Sequence, residues 1–207
     1  MQKNQVKNKF NSMVTIEQIK KLRDETGISL TEIKKALEEA KGDVDKARDI
    51  LRIVGQKVLY KKTDRETKAG LIDTYVHPTG TTGVMLDLRC ETDFVAKNPD
   101  FKTLVHEICL QIAAMSPLYI KEEEIPEEAL DGETKIYKEQ LKDAGKPEKM
   151  MAQILENKLK KYKAEIALLS QVWMKDDTKT IKNLIEDTVG KIGENIEVKR
   201  FSRFEIK

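Results

Sequence analysis

The sequence predicts an α+β protein: a small three-helix head, a linker, and a core whose antiparallel three-stranded sheet is covered by helices. Three observations predict it. Helix-period apolar stripes broken by glycine fill residues 15–55. Two alternating segments joined by a turn-forming stretch follow at 71–90. A third alternating segment closes the chain after several more helical stripes.

At 207 residues the chain can hold one compact domain and a satellite. Aromatic residues are 5%, which leaves few stacking platforms for single-stranded nucleic acid. Net charge is +2, but it is unevenly spread. Residues 1–68 carry 17 Lys and Arg against 11 Asp and Glu, and the remainder 21 against 25. A basic head on a slightly acidic body predicts two units with different surfaces. The two cysteines, Cys90 and Cys109, do not have metal-pair spacing and do not form a secreted disulfide pattern. No apolar run approaches the roughly 20 residues of a membrane span, and the polar start lacks a signal peptide's apolar stretch. The chain reads as cytoplasmic. Residues 1–14 read as a disordered tail, within which Met13 is a second possible start.

Thr15 with Gln18 forms a capping-box signal, after which Ile16, Ile19 and Leu22 share a helix face. Gly27 ends that helix. Ser29 with Glu32 repeats the signal, and Ile33, Ala36, Leu37 and Ala40 follow at helix spacing. After Gly42, Asp43 can cap a third helix with Val44, Ala47, Leu51 and Val54 inward, closed by Gly55. Residues 56–70 lack periodicity and read as a charged linker.

The core spans 71–207. In 71–77, Ile72, Thr74 and Val76 face one way; "PTGTTG" is a turn. In 84–90, Val84, Leu86, Leu88 and Cys90 alternate with Met85, Asp87 and Arg89, which predicts a hairpin with one buried face. Asn98 and Pro99 open a helix with Phe101, Leu104, Val105, Ile108 and Ile112 inward, stopped by Ser116 and Pro117. Residues 121–133 read as an acidic loop. A helical hairpin is expected at about 132–166, broken by "AGKP" at 144–147, and a further amphipathic helix at 180–193. In the last segment Ile196, Val198, Phe204 and Ile206 share one parity, as expected of a half-buried third strand.

No Walker loop, dinucleotide glycine motif or zinc spacing is present, so no cofactor or metal is expected. Cys90 reads as a small buried apolar residue. The spacing of His106 and Cys109 leaves a Cys/His pair formally open. The lysines at 158, 160, 161 and 163 could face RNA or only water. "CETDFVAKNPDF" (90–101) is the most informative stretch. Residues 91–97 lie between the strand's alternation and the helix's stripe, so neither period assigns Phe94 to the core. Composition and spacing leave two readings open: a ring packed under its own loop, or a probe for a partner.

That stretch resembles a signature of the translation elongation factor Ts family. So do "IKKLRDETG" and "KKALEEAKGDVDKA" in the head, "HEICLQIAAMSP" at 106–117 and "GENIEVKRFSRFE" at 193–205, in the family's order. The resemblance implies a ubiquitin-associated-like head and a guanine nucleotide exchange factor for elongation factor Tu, an activity without covalent catalysis. It implies that Thr92, Asp93, Phe94 and Val95 disturb the GTPase's magnesium site. It also implies that the head, around Ile28, Ser29, Leu30, Thr31, Lys34 and Lys35, docks elsewhere on the same GTPase. "ISLTE" at 28–32 departs from the family's methionine-rich turn, and Gln171-Val172-Trp173 stands where Gln-Pro-Phe is common; Trp173 is expected in the core. The short stretch between 120 and 150 resembles the family's short form, which implies a homodimer through the core sheet. Neither a membrane nor direct nucleic acid is an expected partner. The competing reading is an RNA- or ribosome-binding accessory protein that uses the basic head and the lysine-rich helix.

Overall fold

The structure is a computed structural model that describes residues 14–51, 53, 64–143 and 148–206. The expected tail up to residue 13, most of the expected linker, Val54, Gly55 and the 144–147 break lie outside the described residues. The chain divides into two compact units. One comprises Met1–Glu66 and Asp187–Asn195, the other Thr67–Glu186 and Ile196–Lys207.

In the first unit, helices α1 (Ile16–Thr26), α2 (Leu30–Glu39) and α3 (44–51) begin where their caps stand. Thr15 and Gln18 make both bonds of a capping box, Ser29 Oγ accepts from the Glu32 amide, and Asp43 Oδ1 accepts from the amides of Asp45 and Lys46. Leu22, Ile33, Ala36, Leu37, Ala40, Ala47 and Leu51 are buried together. Ile16 departs from its expected place in the stripe. At the first helical position it lies past the edge of that small core and is 84% exposed. Gly27 ends α1 at φ 66°, and a Cβ there would come within 2.9 Å of the Gly190 carbonyl oxygen. Only glycine meets both the left-handed backbone and the close approach.

The second unit runs β1 (Ala69–Val76), β2 (Thr82–Cys90), α4 (Asp93–Ala96), α5 (Pro99–Met115), a 3₁₀ turn (Glu122–Glu124), α6 (Glu127–Asp143) and α7 (Glu148–Ile166). A second 3₁₀ turn (Leu168–Ser170), β3 (Val172–Trp173), β4 (Asp176–Thr180), α8 (Ile181–Ile192) and β5 (Ile196–Glu205) complete it, with the C-terminal half of α8 counted in the first unit. The main sheet has order β1-β2-β5, antiparallel throughout. Its inner face carries Val84, Leu86, Leu88 and Cys90, all buried, and packs on α5, whose Phe101, Leu104, Val105, Ile108 and Ile112 are buried as the stripe predicts. Ile72 and Val76 lie on the other, exposed face.

Three sequence expectations change. The register of β5 against β2 shifts between Asp87 and Leu88, because Asp87 pairs with Arg200 and Leu88 with Val198. Lys199 is the extra residue of a bulge, and a bulge reverses the side-chain parity beyond it. Ile196 and Val198 are therefore buried, while Phe204 and Ile206 emerge on the opposite face, 74% and 73% exposed. The acidic stretch at 121–133 is only partly a loop, because α6 begins at Glu127, and glutamates suit the first turn of a helix. Trp173 is half-buried rather than fully in the core.

Two polar arrangements pin the second unit. Gln111, fully buried on α5, donates to Gln171 Oε1 and to the Val172 carbonyl and accepts from the Met174 amide. Gln171 in turn donates to the carbonyls of Met115 and Glu165. Asp87, 4% exposed, accepts from Arg89 Nε at 2.5 Å and Nη2 at 3.0 Å and lies 3.3 Å from Arg200 Nε. Those Arg89 hydrogen bonds hold the Asp87 carboxyl below its ordinary range against the opposing effect of burial.

Gln111→Leu takes the amide from three partners, of which the Gln171 side chain is itself buried, and is expected to cost about 2–4 kcal/mol in urea unfolding. Asp87's contribution is full above its unfolded pKa, near 4, and is lost as pH falls through the depressed native value. Asp87→Asn should therefore lower stability at pH 7 by about 1–3 kcal/mol and flatten the acid limb of the stability profile. An acid limb unchanged by the substitution would contradict this assignment.

Candidate functional site at the strand–helix corner

The corner is built in one short span. Cys90 ends β2 buried, and its thiol donates to the Thr92 carbonyl at 3.3 Å. Thr92 is extended (φ −131°, ψ 156°) and caps α4, its Oγ1 accepting from the Val95 amide at 3.4 Å. The turn closes with bonds from Ala96 to Thr92, Lys97 to Asp93 and Asn98 to Val95. Asn98 Oδ1 then accepts from the Asp100 amide at 2.8 Å, and Pro99 starts α5 with φ already suited to a helix.

Within that turn the side chains separate sharply. Val95 and Ala96 are buried at 8% and 9%, while Phe94 is 89% exposed beside exposed Thr92 and Asp93. Successive helical residues point about 100° apart, so one turn can seat two and project two. The four residues singled out by resemblance are thus brought together with distinct positions. Thr92 caps the turn, Val95 anchors it, and Asp93 and Phe94 project. A ring this exposed leaves about 1.5–3 kcal/mol of burial free energy unused until a partner covers it.

In the head, Ile28 is half-buried against the core and Ser29 is the cap of α2. Leu30, 47% exposed, lies with Thr31, Lys34 and Lys35 on the solvated side of that helix. Helical neighbours three and four apart share a face, so Leu30, Lys34 and Thr31 form one surface, apolar at its start and basic at its end.

The chemistry weighed from the sequence finds little support elsewhere. Cys90 and Cys109 are buried free thiols. Burial, with the Asp73 carboxylate nearby, pushes Cys109 up to about 12, so it stays protonated and a poor nucleophile. His106 Nδ1 lies 3.7 Å from Asp73 Oδ2. Lys158 lies 4.8 Å over the Tyr137 ring and donates to Gln140, so one of the four lysines considered for RNA serves the α6–α7 hairpin instead. Among the described residues no three metal-ligating side chains converge, and no helix is long and apolar enough to cross a membrane. Sequence reasoning missed one surface. Ile72, Val76, Met85, Phe204 and Ile206 are all more than half exposed, and Ile72, Val76, Met85 and Phe204 share the outer face of the main sheet. The bulge at Lys199 hid it, for no glycine or proline marks that position.

Comparison with known proteins places these features in one family. A family model described as Elongation factor TS matches residues 5–207. Elongation factor Ts of Thermotoga petrophila is 47% identical over 193 residues, covering 93% of this chain and 96% of that protein. The Rubrobacter xylanophilus protein of the same name is 47% identical over 191 residues, covering 92% and 98%. That of Thermosipho melanesiensis is 45% identical over 194 residues, covering 94% and 99%.

Both thiols should resist iodoacetamide at pH 8 in the native protein and alkylate within minutes in denaturant, as read by intact mass. Rapid native labelling of Cys109 would contradict its raised pKa.

Proposed function

The chain belongs to the elongation factor Ts family, and from that membership we propose that it is the guanine nucleotide exchange factor for elongation factor Tu in translation elongation, acting in the cytoplasm and without covalent catalysis. The observation that carries this reading is the 89% exposure of Phe94 on a turn whose next two residues, Val95 and Ala96, are buried. Phe94 enters an apolar slot beside the magnesium site of the GTPase. Asp93 competes there for the groups that support the ion, while Val95 and Thr92 hold the turn that presents them.

Magnesium bridges bound GDP to the GTPase, so displacing its supporting groups loosens ion and nucleotide together. A factor that prefers the nucleotide-free state must, by linkage, weaken nucleotide binding. A thousandfold faster release needs only about 4 kcal/mol off the dissociation barrier. One phenylalanine taken from water into a slot supplies about 1.5–3 kcal/mol of it. The ubiquitin-associated-like head docks elsewhere on the same GTPase through Leu30, Thr31, Lys34 and Lys35, with Ile28 and Ser29 shaping that surface, and holds the wedge in place. A homodimer through the core sheet fits the exposed apolar outer face, because monomers rarely leave such a face uncovered.

Release of fluorescent GDP from elongation factor Tu, followed by stopped flow, should accelerate with the native chain. Phe94→Ala should reduce that acceleration by about ten- to hundredfold, the equivalent of 1.5–3 kcal/mol, with the melting temperature unchanged. Release that is indifferent to the native chain would remove the exchange-factor reading.

A further inference from the structure

The first unit is discontinuous in sequence, for Asp187–Asn195, the C-terminal half of α8 and the residues just beyond it, belong with the three helices. Below about 40 residues a chain rarely buries a stable core unaided, so a second segment matters to a head this small. The segment meets the earlier chain at two points. At the first, the α1–α2 corner lies against the last turns of α8. A Cβ on Gly27 would stand 2.9 Å from the Gly190 carbonyl oxygen, 3.1 Å from the carbonyl carbon and 3.1 Å from the Lys191 Cα, all backbone atoms that cannot swing aside. In the other direction a Cβ on Gly190 would stand 3.6 Å from the Thr26 carbonyl oxygen, an ordinary contact. A methyl group fits there, whereas the further carbons of a leucine crowd the corner. The corner is itself held by the Gly27 amide on the Arg23 carbonyl at 2.8 Å and by the Ile28 amide on Thr26 Oγ1 at 3.4 Å. At the second point Asn195, 8% exposed, donates from Nδ2 to the Arg65 carbonyl at 2.9 Å.

We infer that Gly190 is a positioning residue for the head: its bare backbone seats the α1–α2 corner and thereby fixes how Leu30, Thr31, Lys34 and Lys35 are presented to elongation factor Tu. This rests on the exchange-factor reading above and extends it to a segment far along the chain from both the wedge and the docking residues. Gly27 immediately precedes Ile28, so the seat and the docking surface share one corner. Gly190 lies inside α8 without a positive φ, where glycine is less favourable than alanine. A glycine in that place needs a reason outside its own helix, and the close approach of the corner supplies one. Two attachments to one GTPase act through effective concentration, and the second gains most when it is held where it must bind. A corner freed from its seat has to be ordered at the moment of binding, which weakens affinity. The wedge is untouched by this, since Asp93 and Phe94 stand on a turn with anchors of its own. The seat therefore governs how tightly the GTPase is bound and leaves the rate of GDP release at saturation alone.

The test compares the full native chain with Gly190→Ala and Gly190→Leu. Both substitutions raise helix propensity, so a loss cannot be traced to melting of α8. Calorimetry with nucleotide-free elongation factor Tu gives Kd, and stopped-flow GDP release at rising concentrations of the chain gives the saturated rate. Amide hydrogen exchange reports the corner, Thr26 to Leu30, against α5 as an internal reference. Gly190→Leu should raise Kd by about ten- to hundredfold, leave the saturated rate unchanged, and speed exchange at the corner but not in α5. Gly190→Ala should stay within about twofold of the native chain in every readout, because its methyl group makes only an ordinary contact. Should Gly190→Leu fail to fold in a circular dichroism melt, Gly27→Ala carries the same test from the other side of the approach. An unchanged Kd in the leucine variant overturns the positioning role, and so does a fall in the saturated rate with faster exchange in α5 as well. A native chain that leaves GDP release unaltered removes the exchange-factor reading, and the role in exchange falls with it. Corner exchange that Gly190→Leu does not change overturns the seat itself, whichever way GDP release turns out.

Discussion

One turn of helix governs the candidate site, because it must bury Val95 and Ala96 while holding Phe94 in water. An exposed phenylalanine on a flexible loop would collapse onto the nearest apolar surface. Here the turn is fixed from both sides. Cys90 and the Thr92 cap hold its start, and the Asn98 cap with Pro99 hands the chain to α5. The ring's exposure is thus a consequence of where its neighbours are anchored. The free energy of its burial is not released on folding and is left available to whatever covers the ring.

The remainder of the second unit supports that arrangement. The sheet's inner face and α5 bury each other, which fixes the end of β2 and the start of α5, the two points that α4 connects. At the far end of α5, Gln111 and Gln171 lock the helix to the β3–β4 ribbon through fully hydrogen-bonded amides. A satisfied buried polar network specifies one arrangement more sharply than apolar packing does. Membership of the elongation factor Ts family gives this rigid mount a use. On the function proposed above, the ring is brought to a defined position on the GTPase, and a defined position requires a mount that does not yield.

Legibility in the sequence followed the length of each periodic signal. Val84 to Cys90 alternate over seven residues, and the Phe101 to Ile112 stripe covers three turns, so both faces were plain. Thr15 with Gln18 and Asn98 with Pro99 marked helix starts through local chemistry. Phe94 was not assignable, because a four-residue helix is too short to show a period. In the sequence Phe204 and Ile206 share a parity with Ile196 and Val198, because nothing in residue type announces the bulge at Lys199; it is set by pairing with β2. The first turns of α6 read as loop in the sequence because glutamates there resemble a solvated surface as much as a helix start. Family resemblance singles out the residues of the corner, but their division into cap, anchor and projecting ring requires the three-dimensional structure.

The central claim is that the Phe94 ring stays in water until elongation factor Tu covers it. Fluorine NMR of 4-fluorophenylalanine incorporated at position 94 tests it directly, through the solvent isotope shift between H₂O and D₂O. A full isotope shift in the free chain that vanishes in the complex with nucleotide-free elongation factor Tu is the predicted result. A shift already absent in the free chain, or one that persists undiminished in a fully formed complex, would contradict it.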